Sequence, residues 1–138
     1  MNTNKKRTGM DRKTLLSTLW IFVLLNMIFL DIHSFLKPGF IAEIMTGVVN
    51  GTQMGQGILL IGAILVEIPI AMVLLSRVLK YRANRWANII AGIITAIVIL
   101  INLSTDPDKI FVGTIMIVSL LLIVRYAWKW PKPNKEGE

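Results

Sequence analysis

The stretch of residues 57–79, GILLIGAILVEIPIAMVLLSRVL, is the feature that most restricts what this chain can fold into. A helix needs ~20 predominantly apolar residues to cross the hydrocarbon core of a bilayer, and this run has that length. It carries a carboxylate, Glu67, near its centre, and Pro69 follows two residues later. A charged side chain at the bilayer centre costs ~3 kcal/mol on insertion scales. The stretch therefore predicts a membrane-spanning helix whose acidic residue has either a compensating contact or a function, and Pro69 predicts a kink beside it.

Three further apolar runs predict that the whole chain is a small membrane domain. The 138 residues are 54% hydrophobic, and their mean hydropathy is +0.65. We predict an all-α fold, an antiparallel bundle of four transmembrane helices, because short loops between long helices favour antiparallel neighbours. The expected organisation is a cytoplasmic tail over 1–13, a transmembrane domain over 14–130 with spans at about 14–36, 55–79, 86–104 and 109–127, and a second tail over 131–138.

The segment between the first two spans is expected to hold a short interfacial helix. Residues 37–39, Lys-Pro-Gly, stop the first span because proline and glycine both disfavour helix continuation. Residues 40–49 alternate apolar pairs with small or polar residues at helical spacing, which is typical of an amphipathic helix lying on a membrane surface. The Asn50-Gly51 pair predicts a turn. A second tight turn is predicted at residues 105–108, around Pro107.

The basic residues predict how the bundle is oriented. Five lie in residues 1–13, four in 77–85 and four from Arg125 onwards, whereas the remaining loops hold only Lys37 and Lys109. Cytoplasmic loops carry an excess of lysine and arginine, so both termini are predicted to face the cytoplasm, in the cell membrane. The four tryptophans lie toward the same side, where an aromatic belt is expected. The net charge of +7 is thus a topology signal, and no nucleic acid partner is expected.

Each predicted span carries a polar residue at a similar depth, given ~1.5 Å of rise per residue. The central layer would contain Glu67, Asn26, Thr95 and Ser119, and a layer nearer the outside would contain Asp31, His33, Asn102 and Thr114. The ligand- or proton-binding candidates are Glu67, Asp31, Asn26 and His33, with Thr95, Ser119 and Asn102 in support. The alternative is that these groups only form hydrogen bonds between helices, at ~0.6 kcal/mol each.

Composition argues against most catalytic and cofactor chemistry. The chain has no cysteine and one histidine, which disfavours thiol chemistry, thiolate-bound metals and a multi-histidine metal site. No glycine-rich phosphate loop, activated nucleophile or histidine pair at haem spacing is present. We therefore expect no enzyme activity, catalytic residue, metal or cofactor.

Several stretches resemble a known family. LDIHSFLKPGFIAEIMTG, VEIPIAMVLLSRVLKYRANRWANIIAG and a closing AWKW resemble an uncharacterised bacterial four-helix integral membrane family, a domain of unknown function. The most specific parts are residues 67–70, EIPI, and 84–88, NRWAN. In size and topology only, the chain is also similar to DoxX-like membrane proteins, some of which are linked to quinones. The resemblance implies a bacterial inner membrane location, and it supplies no activity.

Three functions stay open from the sequence. The first is binding or transport of a small lipophilic molecule or cation in the bundle, alone or coupled to protons. The second is an accessory or assembly subunit of a larger membrane complex, in which the polar groups only specify helix contacts. The third is a quinone-linked membrane redox protein, for which the chain supplies no reactive group. The lipid bilayer is the expected environment, with a homo-oligomer or a larger membrane complex as the expected assembly.

Overall fold

A computed structural model describes residues 10–133. In chain order the elements are α1 (Arg12–Ser34), α2 (Phe40–Thr46), β1 (Val48–Val49), β2 (Thr52–Gln53), α3 (Gln56–Val78), α4 (Tyr81–Ile101) and α5 (Pro107–Trp128). The four long helices are each long and apolar enough, by length and composition, to cross a membrane. They form the predicted four-helix bundle, with the short helix α2 between the first two of them.

The long helices form a closed ring. Helix α1 packs against α3 and α5, and α4 packs against the same two helices from the other side. The starts of α1 and α4 and the ends of α3 and α5 therefore meet at one end of the bundle, which we call the basic end. The opposite end carries α2 and the two short strands, and we call it the hairpin end.

The connection at the basic end is much shorter than expected. Helix α3 ends at Val78 and α4 already begins at Tyr81, five residues before the predicted start of the third span. Arg82 and Arg85 thus lie on the first turns of α4 and not in a loop. Charge ends an apolar run, but charged residues such as Arg82 and Arg85 can form the first turns of a helix, because arginine is a good helix former.

The hairpin end confirms the predicted turn and corrects the length of the predicted helix. Asn50 and Gly51 both have positive φ, 49° and 75°, as a two-residue hairpin turn of the primed type requires. The turn joins β1 to β2 in an antiparallel pair. The expectation of a helix over 40–49 was wrong for its last residues. Gly47, in the left-handed conformation, ends α2 after seven residues, so the valines that follow form β1.

Burial is concentrated toward the basic end. The buried apolar side chains are Leu16, Trp20, Val23, Met72, Ile89, Ala91, Ile99, Val112, Met116, Leu120, Ile123 and Ala127. Helix α3 stands apart, because its most apolar window has the highest mean hydropathy of the four, 2.8, yet only 11% of that window is buried, against 39% for α4 and α5. The half of α3 nearer the hairpin end has no buried residue.

Candidate functional site

A buried hydrogen-bond network surrounds Asn88 in the interior, near the basic end. Trp20 Nε1 donates to Asn88 Oδ1 at 2.7 Å, and Ser76 Oγ donates to the same oxygen at 3.1 Å. Asn88 Nδ2 in turn donates to the carbonyl and the side-chain oxygen of Asn84, at 2.9 and 2.7 Å. Three helices, α1, α3 and α4, are joined through this one amide.

Further hydrogen bonds lie in and beside this network, toward the surface of the basic end. Asn84 Nδ2 donates to the carbonyl of Ser76 at 2.6 Å, and Ser17 Oγ donates to the carbonyl of Val73 at 2.8 Å. Arg77 Nε closes this edge by donating to Ser17 Oγ at 3.1 Å. Ser76, Asn84 and Asn88 of the network and the neighbouring Ser17 are fully buried and hydrogen-bonded. Satisfied groups of this kind hold helices in register, and their arrangement leaves no free polar atom for a ligand.

Sequence reasoning missed most of this network. It gave the NRWAN motif as part of a family resemblance, and it did not join Asn88 to Trp20, Ser76 or Asn84. The belt position expected for Trp20 was wrong, since this side chain is fully buried and donates to Asn88. The available signal was the i, i+4 spacing of the two asparagines, which places them on one face of α4.

The structure brings two residues of the expected central layer into the interior and leaves two outside. Thr95 and Ser119 are 4% and 5% exposed, and Ser119 Oγ donates to the carbonyl of Ile115. Asn26 is half-buried and donates to the carbonyl of Phe22 on its own helix. Glu67 is exposed. The buried face of α3 contains Pro69 and Met72, and at 100° per residue Glu67 lies on the opposite face.

The other candidates near the hairpin end are also mostly outside. Asp31 is exposed, and Asn102 is exposed and donates to the carbonyl of Val98 on its own helix. Pro69, the predicted kink residue, lies in the half of α3 nearer the basic end. It is buried and does not interrupt the helix. A shallow apolar groove of about 490 Å³ lies along α5, lined by Pro107, Ile110, Phe111, Thr114 and Ile115.

His33 belongs to a charged cluster that joins the end of α1 to the start of α5. Lys37 Nζ lies 2.7 Å from Asp106 Oδ2 and 3.3 Å from Asp108 Oδ2, and His33 Nε2 lies 3.5 Å from the same Asp108 oxygen. Lys109 Nζ is 3.7 Å from Asp106 Oδ2. The hydrogen bond from Lys37 to Asp106 lowers the pKa of the Asp106 carboxyl and raises the pKa of Lys37. Sequence reasoning placed Asp106 in a turn and did not pair it with Lys37.

Glu67, like Asp31, is an acidic residue of a long helix that makes no ion pair among residues 10–133. It is the central residue of α3, the helix with the highest mean hydropathy. Within residues 10–133 no ion pair includes Glu67, whereas Asp106 and Asp108 both face lysine. In the same part of the chain, no group of three or more His, Asp or Glu side chains could hold a metal ion.

The sequence profile of a family of unknown function, DUF6326, matches residues 7–136. The chain belongs to this family. No curated protein and no solved structure matches the chain. Membership of DUF6326 confirms the expected resemblance to an uncharacterised family, and it covers the bundle, the polar network and the helix that carries Glu67.

Proposed function

We propose that the chain is a multi-pass protein of the bacterial cell membrane, with both termini in the cytoplasm. The low burial of α3 supports this, because a water-soluble protein buries its most apolar helix and this protein leaves that helix exposed. The charge distribution supports the orientation. Thirteen of the fifteen basic residues lie in the tails and around the α3–α4 connection, and Lys37 and Lys109 are on the other side.

We further propose that the protein binds or transports a small lipophilic cation at Glu67, alone or in exchange for a proton. The observation that carries this proposal is the position of Glu67, exposed at the centre of the most apolar helix, with no ion-pair partner among residues 10–133. Ionisable residues inside a membrane are costly and mark ion or substrate pathways.

The chemistry of such a site is simple. A carboxylate at a low-dielectric position attracts a positive charge far more strongly than it does in water. A cation with apolar substituents reaches it from the bilayer, because the surrounding side chains, such as Ile64 and Ile70, are apolar and exposed. Loss of the cation is compensated by uptake of a proton, which makes exchange of the two chemically balanced.

The test is equilibrium binding of tetraphenylphosphonium to the purified chain in lipid nanodiscs. We expect binding to fall at least about tenfold in Glu67→Gln, because the neutral amide keeps the shape and loses the charge. Glu43→Gln is the matched control, since Glu43 is exposed in α2 and its oxygen still accepts the Asn50 N–H after substitution. Equal binding by wild type and Glu67→Gln would contradict the proposal.

The second candidate function is an accessory subunit of a larger membrane complex. The uncovered half of α3 favours it, because a partner helix could cover that surface. Purification from native membranes in a mild detergent, followed by mass analysis, separates the two functions. A stoichiometric complex with a larger membrane protein would support the accessory role, and a chain that binds the cation without such a partner would support the first.

A further inference from the structure

The basic side chains at the two ends of the bundle have different surroundings. At the hairpin end, Lys37 and Lys109 both form ion pairs with Asp106. At the basic end, the described residues include a single acidic side chain, Asp11, and no ion pair forms there among residues 10–133. The basic residues described at that end are Arg12, Lys13, Arg77, Lys80, Arg82, Arg85, Arg125, Lys129 and Lys132. The described part of the chain therefore neutralises its basic residues at one end only.

Arg85 occupies a defined position between α4 and α5. Its guanidinium carbon lies over the Trp128 ring, 5.5 Å from the ring centroid. The side chain is half-buried, and its Nε is buried without a hydrogen-bond acceptor among residues 10–133. Arg82 is exposed one turn earlier on α4, where side chains three residues apart are neighbours. We call Arg82, Arg85 and Trp128 the α4–α5 seat, which combines two positive charges with one aromatic ring and no anion.

An apolar stripe on α4 leads from the α4–α5 seat toward the middle of the bundle. Trp86, Ile93 and Ile97 are 54%, 47% and 49% exposed. At 100° per residue, these three residues and Arg82 lie within about 60° of one another around the helix. A positive charge at the head of an apolar stripe is complementary to an amphiphile with an anionic head and a hydrocarbon tail, whereas a free phosphate would not use the stripe.

We propose that the α4–α5 seat binds the phosphate group of an anionic phospholipid in the cytoplasmic leaflet. The inference rests on the proposed membrane location and orientation, and it goes beyond the cation site at Glu67. Arg85 is the fifth residue of α4 and lies only ~6 Å from the start of the helix, at the depth of the headgroups and the aromatic belt. A guanidinium donates two parallel N–H groups to phosphate oxygens, and stacking on an indole leaves its edge free to do so.

The charge of the whole basic end is the alternative source of a lipid preference, because basic residues near an anionic membrane attract it without a specific contact. Two variants separate this diffuse attraction from the α4–α5 seat. Lys13→Gln removes one charge from the same end but on α1, which lies diagonally opposite α4 in the ring. Arg85→Lys keeps the charge but loses the planar group that stacks on Trp128 and binds a phosphate with two parallel donors.

The test is native mass spectrometry of the chain released from nanodiscs that contain equal amounts of phosphatidylglycerol and phosphatidylcholine with the same acyl chains. We expect the wild type to retain phosphatidylglycerol in preference to phosphatidylcholine, and Arg85→Gln to lower this preference by at least about fivefold. Arg82→Gln and Arg85→Lys should each lower it by about twofold to fivefold, and Lys13→Gln by less than about twofold. Because Arg82 is exposed, its variant keeps the test decisive even if Arg85→Gln fails to fold.

Equal retention of the two lipids by the wild type, or losses in Lys13→Gln as large as those in Arg82→Gln and Arg85→Gln, would overturn the inference. Displacement of the lipid by millimolar inorganic phosphate would assign the α4–α5 seat to a soluble anion and would overturn it too. Tetraphenylphosphonium binding separates this inference from the proposed function. A chain that retains phosphatidylglycerol but does not bind the cation would refute the Glu67 site alone, and a chain that binds the cation without a lipid preference would refute the α4–α5 seat alone.

Discussion

Asn88 accepts two hydrogen bonds and donates two, and this makes it the residue on which the relative positions of α1, α3 and α4 depend. Its amide makes contacts that apolar side chains cannot make, because its oxygen accepts from the Trp20 indole and the Ser76 hydroxyl while its nitrogen donates to Asn84. Deleting it leaves the Trp20 N–H and the Ser76 hydroxyl without this acceptor in a buried site.

We expect Asn88→Ala to lower the free energy of unfolding by about 1–3 kcal/mol, the cost of leaving a buried polar group unsatisfied. The measurement is thermal unfolding in detergent, followed by the circular dichroism of the helices. Asn102→Ala is the matched control, because this exposed asparagine bonds only to its own helix. Similar losses in the two variants would show that the Asn88 network does not stabilise the bundle.

The pair of Lys37 and Asp106 predicts a pH dependence at the hairpin end. The pKa of Asp106 is lowered from 3.8 by its hydrogen bond from Lys37, so the pair adds stability above that value and loses it as the pH falls through the folded pKa. The pKa of Lys37 is raised from 10.5, mainly by the same bond, so its contribution is complete below that value and is lost above the folded pKa.

We therefore expect the contribution of this pair to be constant between about pH 5 and 9 and to fall on acidification below about pH 4. Amide hydrogen exchange in residues 35–40 is the measurement, because it reports the opening of this link locally. In Lys37→Gln the protection of these amides, relative to the intrinsic exchange rate at the same pH, should be lower at neutral pH and should no longer fall on acidification. Lys129→Gln, at the basic end, should behave as wild type, and an acid-independent wild type would refute the assignment.

At the scale of elements, the contact of α4 with α5 depends on Gly92. A Cβ built there would lie 2.9 Å from Val124 Cγ2, which is closer than real Cβ contacts allow. We expect Gly92→Leu to destabilise the bundle by about 1–3 kcal/mol through overpacking. Gly62→Leu, where an added Cβ meets nothing within 4 Å, should have little effect on unfolding in detergent. The opposite ranking would contradict the described α4–α5 contact.

The helices also show how much of the fold could be predicted from the sequence. Apolar length predicted all four long helices, because hydropathy is a property of the segment itself. The start of α4 at Tyr81 was missed, since a charged first turn looks like a loop when only hydropathy is followed. Depth along a helix follows from residue number, but burial does not, and the sequence did not distinguish the buried Thr95 and Ser119 from the exposed Glu67. The face of Glu67 depends on which neighbours cover α3, and no count along one helix contains that information.

At the scale of the whole molecule, the proposed orientation predicts which surfaces face each side of the membrane. Thr52→Cys, in β2, should react with a membrane-impermeant maleimide in intact cells. Ala83→Cys, exposed near the start of α4, should react only after the membrane is permeabilised. The wild-type chain has no cysteine and serves as the unlabelled control. The reverse pattern would invert the topology, and labelling of both in intact cells would exclude a single orientation.

The two-residue connection between α3 and α4 has a consequence for the order of assembly. Because Leu79 and Lys80 alone separate these helices, their pairing closes a short loop and loses little chain entropy. The bond from Trp20 to Asn88, in contrast, joins residues 68 positions apart. We therefore expect α3 and α4 to form a helical hairpin as they leave the ribosome, before α1 docks. During that interval the Asn88 amide lacks its indole donor, and docking of α1 is the step that completes the interior.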